Sequence, residues 1–142
     1  MRKFLLAVMA LFSFCITASL AEAGSIVARI NISKQTMTVT ENGFVKYQWK
    51  ISTARKGYVT PTGTYRAYWA SRHHRSRKYD NAPMPFAIFF NGGYAVHATY
   101  EVKRLGRPAS HGCVRLHPEN AAIFFSLAQR AGLSNTRVII SR

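Results

Sequence analysis

The chain has 142 residues, with 20 Lys+Arg against 5 Asp+Glu and a formal net charge of +15. That length suits one domain and excludes a multidomain machine, and 48% hydrophobic residues exclude a disordered basic tail. Two cysteines, Cys15 and Cys113, are too few for a disulfide-rich scaffold or a four-cysteine zinc site.

Residues 1–23 read as an address rather than as part of the fold. Arg2 and Lys3 form a basic start, Phe4 to Leu20 is mostly apolar, and Ala21-Glu22-Ala23 places small residues where a signal peptidase reads. The expectation is an exported protein of the periplasm or cell envelope, cleaved after Ala23. The apolar run is short for a membrane anchor and lacks a basic stop on its far side. Bulky Phe14 spoils a lipoprotein acylation box at Cys15. Cleavage leaves residues 24–142, with 18 Lys+Arg against 4 Asp+Glu and a charge of +14. Cys113 is then the lone thiol of an exported chain. Counting does not separate a buried inert cysteine from one that does chemistry.

Beyond the signal, apolar alternation predicts strands. Ile26, Ala28, Ile30 and Ile32 mark the first, and Met37 and Val39 the second, with a turn at Ser33-Lys34-Gln35 between them. Asn42-Gly43 between alternating runs predicts a hairpin. Phe44 to Ile51 follows as a third strand, with Val45, Tyr47, Trp49 and Ile51 on one face. Residues 52–63 read as loop, and Thr64 to Trp69 as a strand. Ala70 to Pro85, which carries the basic run Arg72 to Lys78, reads as an exposed loop. Phe86 to Phe90 and Tyr94 to His97 read as strands joined by Asn91-Gly92-Gly93. One helix is predicted over Pro118 to Ala131. Pro118 suits its first position, Glu119 its first turn and Gly132 its stop, and Ala121, Phe124, Phe125, Ala128 and Ala131 share a face. Val138 to Ile140 is a last strand. The fold class is mainly β with one substantial α-helix, in one domain over residues 24–142.

The chemistry concentrates in Ser110-His111-Gly112-Cys113-Val114-Arg115-Leu116. A thiolate is favoured by nearby positive charge, and Arg115 and His111 flank Cys113 at two residues on either side. In an extended segment these three share a face. Gly112 lets a substrate approach the backbone, and the Gly112 and Cys113 N–H groups suit an oxyanion. His97, at the end of its strand, is the candidate base. A buried cysteine near a turn, with His111 on the surface, accounts for the local pattern almost as well.

The pattern of His97 followed by Ser110-His111-Gly112-Cys113-Val114-Arg115 resembles the signature of the L,D-transpeptidase catalytic domain family (YkuD-type). Ile30 to Gln35, Val59 to Tyr65 and Leu105 to Ala109 are similar to the family in the expected order. The resemblance covers nearly all of residues 24–142. It implies a compact β-sandwich domain that acts on peptidoglycan stem peptides with no cofactor and no metal. Cys113 would attack the stem carbonyl to form a thioester, with His97 as base, oriented through the Ala98 carbonyl. Ser110, His111, Gly112 and Arg115 would form the oxyanion and substrate-binding group. A second stem, an envelope protein's amine or water would resolve the thioester, giving crosslinking, protein attachment, or carboxypeptidase and endopeptidase activity. A non-catalytic binder of envelope polymers and a thiol-redox protein are the rival readings.

Tyr94 and Met84 are further candidates for the cleft wall, although core packing suits both. His73 and His74 read as solvated loop residues, His117 as a helix-start residue, and Trp49 and Trp69 as packing residues. No nucleic-acid motif accompanies the charge, which points instead to anionic envelope polymers or lipid head groups. Oligomeric state is not legible.

Overall fold

The first three strands, β1 (Ile26–Asn31), β2 (Thr36–Glu41) and β3 (Phe44–Lys50), form the expected antiparallel meander. Asn42 and Gly43 both take positive φ, 51° and 82°, as a tight hairpin requires. A register shift between Val39 and Thr40 changes one expectation. Tyr47 and Trp49 stand opposite the buried Val39 and Met37, but Val45 stands opposite Thr40 and faces solvent. Val45 therefore does not share the face of Tyr47 and Trp49.

The computed structural model describes residues 24–142; the expected signal, with Cys15, lies outside the described residues. β1 also pairs in parallel with the last strand, β9 (Thr136–Ser141), and β9 pairs with β4 (Gly63–Arg66). The first sheet thus has the order β3-β2-β1-β9-β4. The second sheet has the order β5-β6-β7-β8, from β5 (Trp69–Arg75), β6 (Pro83–Asn91), β7 (Tyr94–Ala98) and β8 (Val114–Leu116).

The segment 70–85, read from sequence as one exposed loop, is mostly strand. β5 and β6 pair from Trp69↔Phe89 to Arg75↔Pro83, and only residues 76–82 turn. Basic residues and prolines hid the pairing. β5 is an edge strand, where charge is tolerated, and Pro83 and Pro85 lie in the part of β6 that pairs with β5 alone, because β7 pairs only from Ile88 onward. The strand expected over Thr64 to Trp69 is two elements, broken at Ala67 and Tyr68.

The helix α1 (Pro118–Ala131) has the predicted bounds. His117 caps it, accepting from the Glu119 N–H at 3.2 Å, and Gly132 ends it with φ 92°. Its buried residues, among them Phe124 and Ala128, join Ile26, Ile30 and Val138 of the first sheet and Val96, Val114 and Leu116 of the second in one core. Burying Phe124 alone stabilises the fold by roughly 1.5–3 kcal/mol.

The same core fixes the face on which chemistry can occur. Val96 and Ala98 of β7 point inward, so Ala95 and His97 point out of the sandwich. In β6, Ile88 and Phe90 face the core, while Ala87, Phe89 and Met84 form a small outer cluster with Ala95 and Cys113. Met84 and Phe86 would share a face in a regular strand. Phe86 instead has φ 53° and packs toward the main core, which resets the alternation and keeps Met84 beside Cys113.

Candidate active site

β7 and β8 pair in parallel, Val96↔Val114 and His97↔Arg115. This register sets Cys113, immediately before β8, beside Ala95, with His97 and Arg115 as the next pair on the same outer face. Cys113, His97 and Arg115 therefore meet in one cleft of about 550 Å³.

His97 is buried, at 6% exposure. Its Nδ1 lies 2.7 Å from the Ala98 carbonyl oxygen. A carbonyl only accepts, so Nδ1 carries the proton and Nε2 is the free, basic nitrogen. Burial lowers the His97 pKa to about 4; the Ala98 hydrogen bond opposes this shift, while the charges of Arg115 and His74 add to it.

The thiol does not follow the expectation of a charge-favoured thiolate. Burial pushes Cys113 above its ordinary value, against a hydrogen bond from the Ala95 N–H and the positive charge of Arg115, which lower it. Desolvation outweighs the guanidinium. The Sγ–H points to the Gly93 carbonyl, 3.7 Å away. The resting pair is thus a neutral thiol and a neutral imidazole.

The backbone around Cys113 is clamped from several directions. The Ser110 hydroxyl donates to the Cys113 carbonyl at 2.7 Å and accepts from the Gly112 N–H at 3.0 Å. The Gly112 N–H, read from sequence as an oxyanion donor, is therefore committed to Ser110 in the resting state. Thr60 Oγ1 donates to the Gly112 carbonyl at 2.8 Å and accepts from the Ala54 N–H at 2.9 Å. Gly112 has φ 138°, and a Cβ there would lie 2.6 Å from Tyr94 Cε1 and 2.8 Å from the Val59 carbonyl oxygen. Only glycine fits.

Residues 52–55, expected as plain loop, form the far side of this clamp. Ser52 and Arg115 exchange backbone hydrogen bonds of 3.0 and 2.9 Å, and the Thr53 carbonyl accepts from Ala109 and Ser110. Thr53 is held in turn by Gln35, whose Oε1 accepts from its N–H at 3.0 Å and whose Nε2 donates to its hydroxyl at 2.6 Å. Gln35 is 3% exposed and has φ 51°, so the turn between β1 and β2 reaches into the site's support.

The expected substrate-binding residues separate. Arg115 donates from Nη1 to Glu101 Oε2 at 3.2 Å, so a carboxylate already holds one side of its guanidinium. His111 does not share the face of Cys113 and Arg115 as an extended segment would require, because residues 111–113 bend before β8 begins. Its ring stacks on Tyr79 at 4.1 Å and 8°, meets Tyr58 edge-on at 4.8 Å, and accepts at Nε2 from Arg55 at 3.1 Å. Burial, then Arg55, holds its pKa low. His111 and Tyr79 thus build a wall in which the turn after β5 folds over the cleft. Tyr94 and Met84, for which core packing was the favoured expectation, also line it.

Sequence reasoning missed Gln35, Ser52, Thr53, Thr60, Tyr79 and Glu101. Gln35 and Thr60 lie within strings already noted, Ile30 to Gln35 and Val59 to Tyr65, but their partners are 18 and 52 residues away. Nothing local marks the others.

The L,D-transpeptidase catalytic domain family profile matches residues 25–140. No curated protein matches the chain. Among solved structures, an L,D-transpeptidase from Mycobacterium smegmatis is similar at 23% identity and TM-score 0.74, covering 84% of this chain and 59% of its own. L,D-transpeptidase 3 from Mycobacterium tuberculosis, solved with a faropenem-derived adduct, has 22% identity and TM-score 0.72 over 84% of this chain and 61% of its own. An L,D-transpeptidase from Xylanimonas cellulosilytica has 26% identity and TM-score 0.71 over 85% and 62%. The chain therefore spans about three-fifths of the solved proteins it resembles. A profile match over nearly all the described residues, on a fold of this topology, establishes that the chain belongs to the L,D-transpeptidase catalytic domain family.

Proposed function

We propose that this chain is a cysteine-dependent L,D-transpeptidase acting on peptidoglycan stem peptides. The observation that carries the reading is the placement of Cys113 and His97 on one outer face of the β7–β8 pair, with the Ala98 carbonyl fixing the His97 tautomer.

In this reading His97 Nε2 takes the thiol proton as Sγ attacks the carbonyl of the third stem residue. The amide bond to the terminal D-amino acid breaks, and the same proton goes to the leaving amine. The resulting thioester is resolved by an amine of a second stem, with His97 accepting its proton and returning it to Sγ. General acid–base assistance of this kind is worth roughly 10²–10⁴-fold. An envelope protein's amine gives protein attachment by the same chemistry, and water gives carboxypeptidase or endopeptidase activity. Export, with cleavage after Ala23, would deliver the enzyme to the envelope.

A β-lactam that acylates the nucleophile tests the core of the reading. The Mycobacterium tuberculosis relative solved with a faropenem-derived adduct supports that choice of probe. Intact-mass analysis after incubation with faropenem should show one adduct on the wild type and none on Cys113→Ala. A reduced, folded wild type that stays unmodified overturns it. Mass analysis of stem tetrapeptides after incubation then separates dimers from shortened stems.

A further inference from the structure

The first sheet has a second face. Ile26, Ala28 and Ile30 of β1 and Val138 and Ile140 of β9 point into the core shared with the second sheet. Their alternate neighbours point the other way, so this outer face lies at the back of the sandwich, opposite the face that carries Cys113 and His97.

Strand register fixes what stands there. One row across the sheet runs Val45, Thr40, Val27, Arg137, Arg66, and the next runs Gln48, Thr38, Arg29, Ile139, Thr64. Arg29, Arg66 and Arg137 are all exposed, and Lys50 stands at the β3 edge. Arg66 and Arg137 are directly opposite each other in an antiparallel pair, an arrangement that destabilises a sheet.

No acid offsets them. Residues 24–142 contain four carboxylates. Glu41 pairs with Arg130 of α1 at 3.7 Å, and Glu101 pairs with Arg115 and Arg104. Asp80 lies in the turn after β5, and Glu119 in α1. Among the described residues, none of these four cations forms an ion pair.

We propose that this back face binds an extended anionic polysaccharide, with Arg29, Arg66 and Arg137 gripping its carboxylate or phosphate groups. Guanidinium forks match such anions. Thr38, Thr40 and Gln48, on the β2–β3 side of the arginines, and Thr64, on the strand of Arg66, offer hydroxyl and amide partners for sugar hydroxyls. A lipid surface is a poorer fit, because Val27 and Ile139 are half-buried between strands and the exposed Val45 lies only at the edge. The face carries no aromatic platform for stacking bases. A polymer held at the back leaves the front cleft open, so this surface tethers the domain without occupying its active site.

The test is fluorescence anisotropy with fluorescein-labelled polygalacturonate at 50 and 150 mM NaCl, using the purified protein. Arg29→Gln, Arg66→Gln and Arg137→Gln combined should weaken binding at least ten-fold and flatten its salt dependence. Each of Arg66→Gln and Arg137→Gln alone should weaken it two- to five-fold, which guards against misfolding of the triple variant. Faropenem adduct formation should be unchanged in all three. An equal loss of charge elsewhere, Lys56→Gln, Arg77→Gln and Lys103→Gln combined, should change binding less than two-fold. Equal losses in the two triple variants overturn the proposal. So does binding to vesicles of 30% phosphatidylglycerol in phosphatidylcholine without binding to polygalacturonate, or equal binding to neutral dextran.

Discussion

The ring of His97 is tethered to the residue that follows it, with Nδ1 2.7 Å from the Ala98 carbonyl oxygen. The tether settles the tautomer and leaves Nε2 as the unprotonated ring nitrogen, while burial keeps the ring neutral down to about pH 4. Cys113, pushed above its ordinary value by the same burial, is a neutral thiol at pH 7. A thiolate–imidazolium pair would react with iodoacetamide at a constant rate across neutral pH. Here the alkylation rate should instead climb steadily from pH 6 through pH 9 with no neutral plateau. His97→Ala should keep that rising profile but lose roughly 10²–10⁴-fold in turnover. A plateau between pH 5 and 8 in the wild type would show that the resting pair is ionised.

The buried His97 also links stability to pH. Its folded pKa of about 4 lies below the ordinary 6.5. Between those values the unfolded chain binds the proton and the folded chain does not, so stability falls as pH drops from 6.5 toward 4. The full shift corresponds to about 3 kcal/mol, to order of magnitude. Urea denaturation at pH 7, 5.5 and 4 should show that loss in the wild type and a shallower one in His97→Gln. An equal slope in both proteins would mean that other groups carry the pH dependence.

Gly112 and Tyr94 set a steric limit beside Cys113. With φ 138° and a Cβ position 2.6 Å from the Tyr94 ring and 2.8 Å from the Val59 carbonyl oxygen, Gly112→Ala must distort both backbone and cleft. The left-handed backbone contributes about 1–2 kcal/mol and the overlap about 1–3 kcal/mol. Gly106→Ala is the control, since Gly106 also has positive φ, 94°, but its Cβ would meet only Lys50 Cδ at 3.7 Å. Thermal melts should show Gly112→Ala shifted further than Gly106→Ala, with faropenem acylation lost only in the former.

Ser110 joins two backbone groups, the Gly112 N–H and the Cys113 carbonyl. Ser110→Ala removes the acceptor of the buried Gly112 N–H and the donor to the Cys113 carbonyl. Each buried group left without a partner costs about 1–3 kcal/mol. The variant should unfold at lower urea and acylate slowly, and Ser110→Thr, which keeps the hydroxyl, should recover much of both. Wild-type stability and rate in Ser110→Ala would show the loop to be held without this bridge.

These residues also show what a sequence discloses. The three-strand meander, the helix from Pro118 to Ala131 and the Ser110 to Arg115 segment were legible because their signals are local: alternation, a hairpin dipeptide, capping residues and a dense string of reactive side chains. β5 and the start of β6 were not legible, because an edge strand tolerates the basic residues, and a stretch paired on one side only tolerates the prolines, that ordinarily mark a loop. The clamp from Gln35 through Thr53 and Thr60 was not legible either, since its hydrogen bonds span 18 residues from Gln35 to Thr53 and 52 from Thr60 to Gly112. The thiol's protonation state failed for a related reason. Neighbouring charges can be read from spacing, but the burial that outweighs them is a property of the packed fold.

The turn after β5 and the Ser110–Cys113 segment meet at one stack, His111 on Tyr79 at 4.1 Å and nearly parallel. The contact lies on the wall of the cleft rather than at the reacting atoms, so it should govern how substrate is held more than how the bond is broken. Stacked aromatic pairs contribute about 0.5–1.5 kcal/mol, which corresponds to roughly two- to twelve-fold in affinity at 1.4 kcal/mol per decade. Tyr79→Ala should therefore raise KM for a stem tetrapeptide by several-fold while kcat changes little. Tyr79→Phe keeps the ring and should behave as wild type. Steady-state kinetics on the three proteins decides it: a fall in kcat at unchanged KM would place the stack in the chemical step and not in the wall.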